Sequence, residues 1–97
     1  MYERARLPSA AFRHARNRKM MRQVLLGQGW AAVGVLHGLS RSAVRYLVLR
    51  ECQHVNPQCL KAFALEPQGT SLLHYLQAHA LDFGITPTLT DAFETEL

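Results

Sequence analysis

The chain has 97 residues, of which 48% are hydrophobic, and a formal net charge of +4. This length suits one small domain with a modest core, so we expect a homodimer that buries further apolar surface. No apolar run reaches the roughly 18 residues of a membrane span, and no apolar stretch of signal-peptide length follows the basic N-terminus, so we predict a cytoplasmic protein with reduced thiols.

The charge is divided unevenly along the chain. Residues 1–50 hold ten lysines and arginines against one acid, a net charge of +9, whereas residues 51–97 hold one lysine and six acids, a net charge of −5. Two ordinary solvated surfaces would not require such a difference. The asymmetry favours a first half that faces nucleic acid and a second half that faces something else.

The first 26 residues predict a basic arm followed by a basic helix. Residues 1–8 form the flexible arm, in which Arg4 and Arg6 either enter a DNA minor groove or make no ordered contact. Ser9 can cap a helix that continues to about Leu26. Its incomplete apolar stripe consists of Phe12, Met20 or Met21, Val24 and Leu25. Five basic side chains on this helix are expected to contact phosphates: Arg13, Arg16, Arg18, Lys19 and Arg22.

Two further helices are predicted on either side of a tight turn. Residues 30–37 form the first, Gly38 and Leu39 form the turn, and Ser40 caps a second helix that runs to about His54. In the second helix, apolar residues recur at helical spacing and mark a core-facing stripe. These residues are Val44, Leu47 and Val48.

The second half of the chain also reads as helical. Asn56 can cap a short helix with Pro57 at its first position, ending near Leu65. Thr70 or Ser71 then caps a helix that Gly84 stops, and residues 85–97 form an acidic tail or a short helix. Strand signals are weak throughout. We therefore predict an all-α domain of about five helices in residues 9–84.

Residues 29–51 resemble the helix-turn-helix family of transcription regulators. The motif residues that match are Val33, Gly34, Gly38, Leu39, Val44 and Leu47. Within the family, the motif after a basic N-terminal helix is similar to TrfB-type plasmid repressors, which are small homodimers, and sigma-factor DNA-reading domains share the same core pattern. Two positions depart from the family: His37 stands where leucine is common, and Gly34 is smaller than the usual alanine.

The resemblance implies that the helix after Ser40 reads base edges in the major groove of duplex DNA. The implied readers are Arg41, Ser42, Arg45 and Tyr46. Arg41 and Arg45 are four residues apart and therefore share a helix face. Ser40 and Arg50 are expected to contact the DNA backbone.

The leucine-rich helix of residues 71–83 has two interpretations. Its apolar residues either form a two-fold dimer contact or complete the core of one chain. The predicted dimerisation residues are Leu72, Leu73, Leu76 and Phe83. A homodimer would place two recognition helices about 34 Å apart, on successive turns of one DNA face.

The cysteines and histidines do not form a familiar metal motif. Cys52, His54 and Cys59 give the spacing C-x-H-x4-C, there is no C-x-x-C, and His74 and His79 lie far along the chain. We therefore predict no metal and no cofactor, and we interpret Cys52 and Cys59 as small apolar residues near a helix junction. With no oxyanion site or cleft in view, we expect no enzyme.

These observations favour a sequence-specific, double-stranded DNA-binding regulator of transcription, a homodimeric repressor. The alternative is a protein-binding adaptor that contacts a sigma factor or an RNA polymerase subunit. The acidic half would bind such a subunit, or a second regulator. Structured RNA stays open as a ligand, because charge alone does not identify the nucleic acid.

Overall fold

The computed structural model describes residues 9–87, and these residues form α-helices and 3-10 helices without a strand. The α-helices are α1 (Ala10–Leu25), α2 (Trp30–His37), α3 (Arg41–Val55), α4 (Pro57–Ala62) and α5 (Leu72–Ala78). Short 3-10 helices follow α4 at Phe63–Leu65 and α5 at Ala80–Phe83. The predicted all-α fold of about five helices is confirmed.

Four of the α-helices begin at a polar side chain that accepts a hydrogen bond from the backbone N–H three residues later. The capping residues are Ser9, Ser40, Asn56 and Ser71. Each such bond satisfies a donor that the helix leaves unpaired, which stabilises a helix by about 1 kcal/mol. The four helix starts predicted from these side chains are therefore confirmed.

The core lies between α1, α3 and α5, with α2 packed on α3. The start of α1 lies beside the last turns of α3, since one groove is lined by Ala10 and His14 of α1 and by Glu51 and His54 of α3. The end of α1 lies near the start of α3, since Gln23 contacts His37 at the end of α2. The two helices therefore run antiparallel. The side chains that are almost completely buried are Met20, Met21, Val24, Val33, Val44, Val48, Cys52 and Leu76.

Some predicted packing and element lengths are wrong in detail. Phe12 was assigned to the incomplete apolar stripe of α1, but it lies in the first turn of the helix and is 58% exposed. Both Met20 and Met21 are buried, whereas the sequence pattern placed only one of them in the apolar stripe. The α-helical part of the leucine-rich helix ends at Ala78, and the chain continues to Phe83 as a 3-10 helix.

The C-terminal end of the domain reaches one residue beyond the predicted boundary. Gly84 ends the last 3-10 helix with a left-handed φ of 75°, and Ile85 after it is buried in the core. The acidic residues predicted as a tail or short helix lie mostly outside the described residues. Within residues 9–87, no helix has the combination of length and hydropathy needed to cross a bilayer.

Candidate nucleic-acid interface

The turn between α2 and α3 is built by local backbone chemistry. Gly38 ends α2 with φ 68° and ψ 32°, a left-handed conformation that glycine adopts without steric cost. The Leu39 N–H donates to the Gly34 carbonyl at 2.9 Å, and the Ser40 hydroxyl accepts from the Ala43 N–H at 3.1 Å. The chain therefore leaves α2 and enters α3 with no irregular linker.

Gly34 lets α2 approach the turn more closely than any other residue would. A Cβ atom at this position would overlap the backbone carbonyl oxygen of Leu39 and would lie 3.5 Å from Cγ2 of Val44. The glycine at this position therefore has a physical reason. The small residue at this position sets the angle at which α2 supports α3.

One face of α3 points away from the rest of the domain. Ser42, Arg45 and Tyr46 are exposed along this face and Arg41 is exposed at the first residue of α3, whereas Val44 and Val48 are buried. Arg41 and Arg45 make no hydrogen bond or ion pair with any residue that the structure describes. The four predicted base readers are thus all exposed, and the guanidinium groups of Arg41 and Arg45 have donors available for an external partner.

Arg50 is placed differently from the two arginines before it. Its guanidinium carbon lies 5.8 Å from the centre of the Tyr46 ring, a cation–π contact that holds both side chains along α3. A shallow groove runs beside this pair, between α3 and α4, with Leu49 and Leu60 in its floor. The predicted backbone contact of Arg50 would have to form from this stacked position.

Three of the basic side chains of α1 bond within the domain. Arg18 donates from Nε to Oε2 of Glu51 at 2.9 Å, and Arg22 donates to the Thr86 carbonyl at 2.7 Å. Arg16 donates from Nε and Nη2 to the neighbouring Asn17 side chain, both at 3.2 Å. Glu51, one of the six acids in the second half of the chain, is buried at the contact between α1 and α3.

Lys19 and Arg16 lie beside the end of α2. Burial lowers the pKa of His37, and the charges of Lys19 and Arg16 lower it further. His37 is half-buried, and its Nε2 lies 2.8 Å from Oε1 of Gln23 on α1. The histidine therefore packs against α1, as an ordinary core-edge residue, and marks a cationic flank close to the start of α3.

The remaining predicted DNA contacts divide between described and undescribed residues. Arg13 is exposed near the start of α1, where a groove is lined by residues of α1 and of the last turns of α3. Arg4 and Arg6 of the predicted arm lie outside the described residues. The arginines of α3 and the α2-proximal side of α1 are therefore the parts of the predicted interface that the structure brings together.

Two of the four residues of the predicted dimer contact are buried within a single chain. Leu76 is fully buried and Phe83 is 2% exposed within a single chain, so neither side chain is available to a second copy. Leu72 and Leu73 are partly buried against the same core. The alternative interpretation, in which this helix completes the monomer core, describes Leu76 and Phe83.

Sequence reasoning missed an apolar surface on α2. Val35 is 83% exposed and Leu36 is 61% exposed, on the side of α2 opposite Val33 and Gly34. A helical wheel could have found them, because the buried positions of α2 fix which side faces out. Large exposed apolar side chains at adjacent positions are typical of contact surfaces.

Comparison with known proteins gives no further assignment. No family model, no curated protein and no solved structure matches this chain.

Proposed function

We propose that this protein binds double-stranded DNA in a sequence-specific manner and regulates transcription. The observation that carries the proposal is the open arginine face of α3. Arg41 and Arg45 project from the first turns of a helix that α2 supports from behind, and they have no partner among the described residues. An exposed helix with its donors unoccupied is what major-groove readout requires.

The dimensions of α3 are compatible with this role. An α-helix with its side chains is about 10–12 Å across, and the major groove is about 12 Å wide. Residues at the N-terminal end of such a helix meet base edges, which puts Arg41, Ser42 and Arg45 nearest to the bases. An arginine that bonds both O6 and N7 of guanine contributes about 1–3 kcal/mol of discrimination.

The cationic flank of α1 supports the same orientation. Lys19 lies close to His37, at the end of α2, and therefore near the residues that lead into α3. Cations at this place would contact phosphates on the rim of the groove that α3 enters. Such contacts release counterions and make the affinity fall with salt.

Within this proposal the protein is a cytoplasmic repressor that binds DNA as a homodimer. A small domain that covers an operator blocks access to it without any further activity, so repression is the simplest outcome. Two copies would present two α3 helices to successive major grooves. Leu72 and Leu73, the two predicted contact residues that are not fully buried, remain candidates for the two-fold contact.

We propose no enzymatic role. Burial raises the pKa of the Cys52 thiol to about 12, with smaller contributions from Cys59 and Glu51. At neutral pH this group stays protonated, and a thiol is a far weaker nucleophile than a thiolate. This supports the interpretation of Cys52 as a packed core residue.

One observation favours the alternative of a protein-binding adaptor. The exposed Val35 and Leu36 side chains on α2 have no role in reading DNA, and they would suit an apolar contact with a sigma factor or an RNA polymerase subunit. In that case α3 would serve as support, and its arginines would be surface charges.

A DNA titration separates the two functions. Binding of the protein to random-sequence duplex DNA is measured by fluorescence anisotropy at about 50 mM and about 200 mM salt. Arg45→Ala is compared with Lys61→Ala, which removes the same charge from an exposed residue of α4. A DNA-binding regulator loses affinity steeply with salt, and Arg45→Ala weakens binding more than Lys61→Ala does. Salt-independent binding, or equal effects of the two substitutions, would contradict the proposal and favour the adaptor.

A further inference from the structure

Three side chains with metal-binding atoms lie close together in the second half of the chain. Cys59 lies on α4, His79 is the residue after α5, and Asp82 lies in the 3-10 helix that follows. One ligand atom from each lies within 4.8 Å of the other two. Nδ1 of His79 is 2.8 Å from a carboxylate oxygen of Asp82.

Asn56 holds two of these residues in place. Its Oδ1 accepts from the Cys59 N–H at 3.1 Å, and its Nδ2 donates to the Asp82 carbonyl at 2.8 Å. One side chain therefore ties the first turn of α4 to the 3-10 helix. The positions of Cys59 and Asp82 are linked by a bridge that needs no metal.

Tyr75 contacts both Cys59 and His79 and holds them near each other. Its hydroxyl donates to the Cys59 carbonyl at 2.6 Å, and its ring lies 4.3 Å from the His79 ring, centre to centre. Tyr75 itself is buried in the core. The imidazole and the cysteine are thus carried by a rigid support, which lowers the cost of ordering them around an ion.

We propose that Cys59, His79 and Asp82 form a zinc-binding site. A thiolate, an imidazole and a carboxylate are all zinc ligands, and a donor set that contains sulfur disfavours magnesium and calcium. Three protein ligands leave a fourth tetrahedral position for water. The site does not depend on the proposed DNA binding, since none of the three residues belongs to α1, α2 or α3.

The geometry requires only a small adjustment. Zinc bonds of about 2.0–2.3 Å place tetrahedral ligand atoms about 3.4–3.6 Å apart. The imidazole nitrogen and the carboxylate oxygen would separate slightly from 2.8 Å, and the Cys59 sulfur lies within 4.8 Å of a ligand atom of each of these two residues. Both the His79 and Asp82 side chains are partly exposed, at 39% and 56%, so an ion can enter from solvent.

Binding would change the protonation of the cluster in a defined way. Coordination uses the lone pair of His79 Nδ1, a carboxylate oxygen of Asp82 and the thiolate of Cys59, so binding releases the Cys59 thiol proton, and any proton on His79 Nδ1, to solvent. Zinc keeps its oxidation state throughout. The bound ion would join α4 to the 3-10 helix and stabilise the folded chain by mass action.

Two of these ligands, Cys59 and His79, are among the residues considered from the sequence, and Asp82 is not. Cys52 and His54 are close to Cys59 along the chain but do not belong to the cluster. Cys52 is fully buried and cannot reach solvent. It therefore supplies a matched control, because the two cysteines are the only ones in the chain.

The test is a cobalt titration of the full, reduced protein. Co²⁺ takes the same ligands as Zn²⁺ and has visible absorption, together with a charge-transfer band when a thiolate is bound. The expected result is that one Co²⁺ binds per chain and gives the thiolate band. Added Zn²⁺ should displace the Co²⁺ and remove both the visible absorption and the thiolate band. Cys59→Ser should abolish the thiolate band, whereas Cys52→Ser should retain it.

Two further variants test the nitrogen and oxygen ligands. His79→Gln and Asp82→Asn should each weaken cobalt binding by at least about tenfold. His74→Gln, which changes an exposed histidine of α5 outside the cluster, should leave the affinity unchanged. Circular dichroism of each variant checks that the helices persist, and the exposed His79 and Asp82 keep the test valid if Cys59→Ser fails to fold. Wild-type protein without a thiolate band, or a band that survives in folded Cys59→Ser, would overturn the proposal.

Discussion

The two helices α1 and α3 both carry several basic side chains, but they use them differently. On α1, Arg16, Arg18 and Arg22 donate to oxygen atoms of the domain itself. On α3, Arg41 and Arg45 donate to none among residues 9–87. Counting charges along the sequence does not distinguish the two helices. What distinguishes them is whether the fold supplies each guanidinium group with an acceptor.

The largest expected effect comes from Gly34, which sets how α2 supports the free face of α3. Gly34→Ala introduces a Cβ that overlaps the Leu39 carbonyl oxygen, and crowding against backbone should destabilise the fold by about 2–3 kcal/mol. Urea denaturation measures the change. Gly29→Ala is the control, since no atom lies within 4 Å of its added Cβ.

The sign of the Gly34→Ala effect is informative. Helix propensity alone predicts that alanine stabilises an α-helix interior by about 1 kcal/mol relative to glycine. A Gly34→Ala protein more stable than the wild type would therefore show that α2 does not approach the turn as described.

The next effect separates structural from free arginines. Arg18→Ala removes the close partner of the Glu51 carboxylate, whose side chain is only 9% exposed. Because Arg18 is itself 50% exposed, we expect a loss of about 1–2 kcal/mol, less than for a fully buried pair. Arg45→Ala should change stability by less than about 0.5 kcal/mol.

DNA affinity should show the opposite order for the same two proteins. Arg45→Ala should weaken binding to a specific site by about 1–3 kcal/mol, and Arg18→Ala should affect it little at temperatures where the protein is folded. Urea denaturation and anisotropy on matched samples give both numbers. If both substitutions impair the same property, the distinction between the two helices is wrong.

A smaller effect concerns phosphate contacts on α1. Lys19 is exposed beside His37, so Lys19→Ala should reduce the magnitude of the salt slope of DNA binding by about 1, equally for all sequences. Arg22→Ala is the comparison, because Arg22 already donates to Thr86. An unchanged slope for Lys19→Ala would place α1 away from the DNA.

The smallest effect is the pH dependence from His37. Its pKa in the folded protein is lowered from 6.5 by burial, then by Lys19 and Arg16, so the unfolded chain binds the proton more readily. The contribution of the neutral His37 ring to the free energy of unfolding is complete above about pH 6.5 and falls as the pH decreases below that value. Urea midpoints at about pH 8 and pH 5.5 should therefore differ more for the wild type than for His37→Gln. A larger difference in the variant would contradict this assignment.

Features set by neighbouring residues were predictable from the sequence. Ser40 and Asn56 act within three residues of themselves, and Gly38 acts through its own φ angle, so helix starts and the turn followed from local chemistry.

Features set by distant residues were not predictable. Arg18 and Glu51 are 33 positions apart, and nothing in the spacing of either residue marks the other as its partner. The burial of Leu76 and Phe83 depends on how α5 packs on α1, since their apolar spacing fits a dimer contact equally well. The Cys59, His79 and Asp82 cluster likewise arises only when α4 and α5 meet.

The most direct test of the central claim is selection of bound sequences from a random pool of duplex DNA, with wild-type protein and with Arg41→Ala and Arg45→Ala. The account predicts a palindromic consensus from the wild type, with half-sites about one helical turn apart and with guanines that lose their preference in the arginine variants. A pool that shows no enrichment, or a consensus that both variants reproduce unchanged, would contradict a role for α3 in reading DNA.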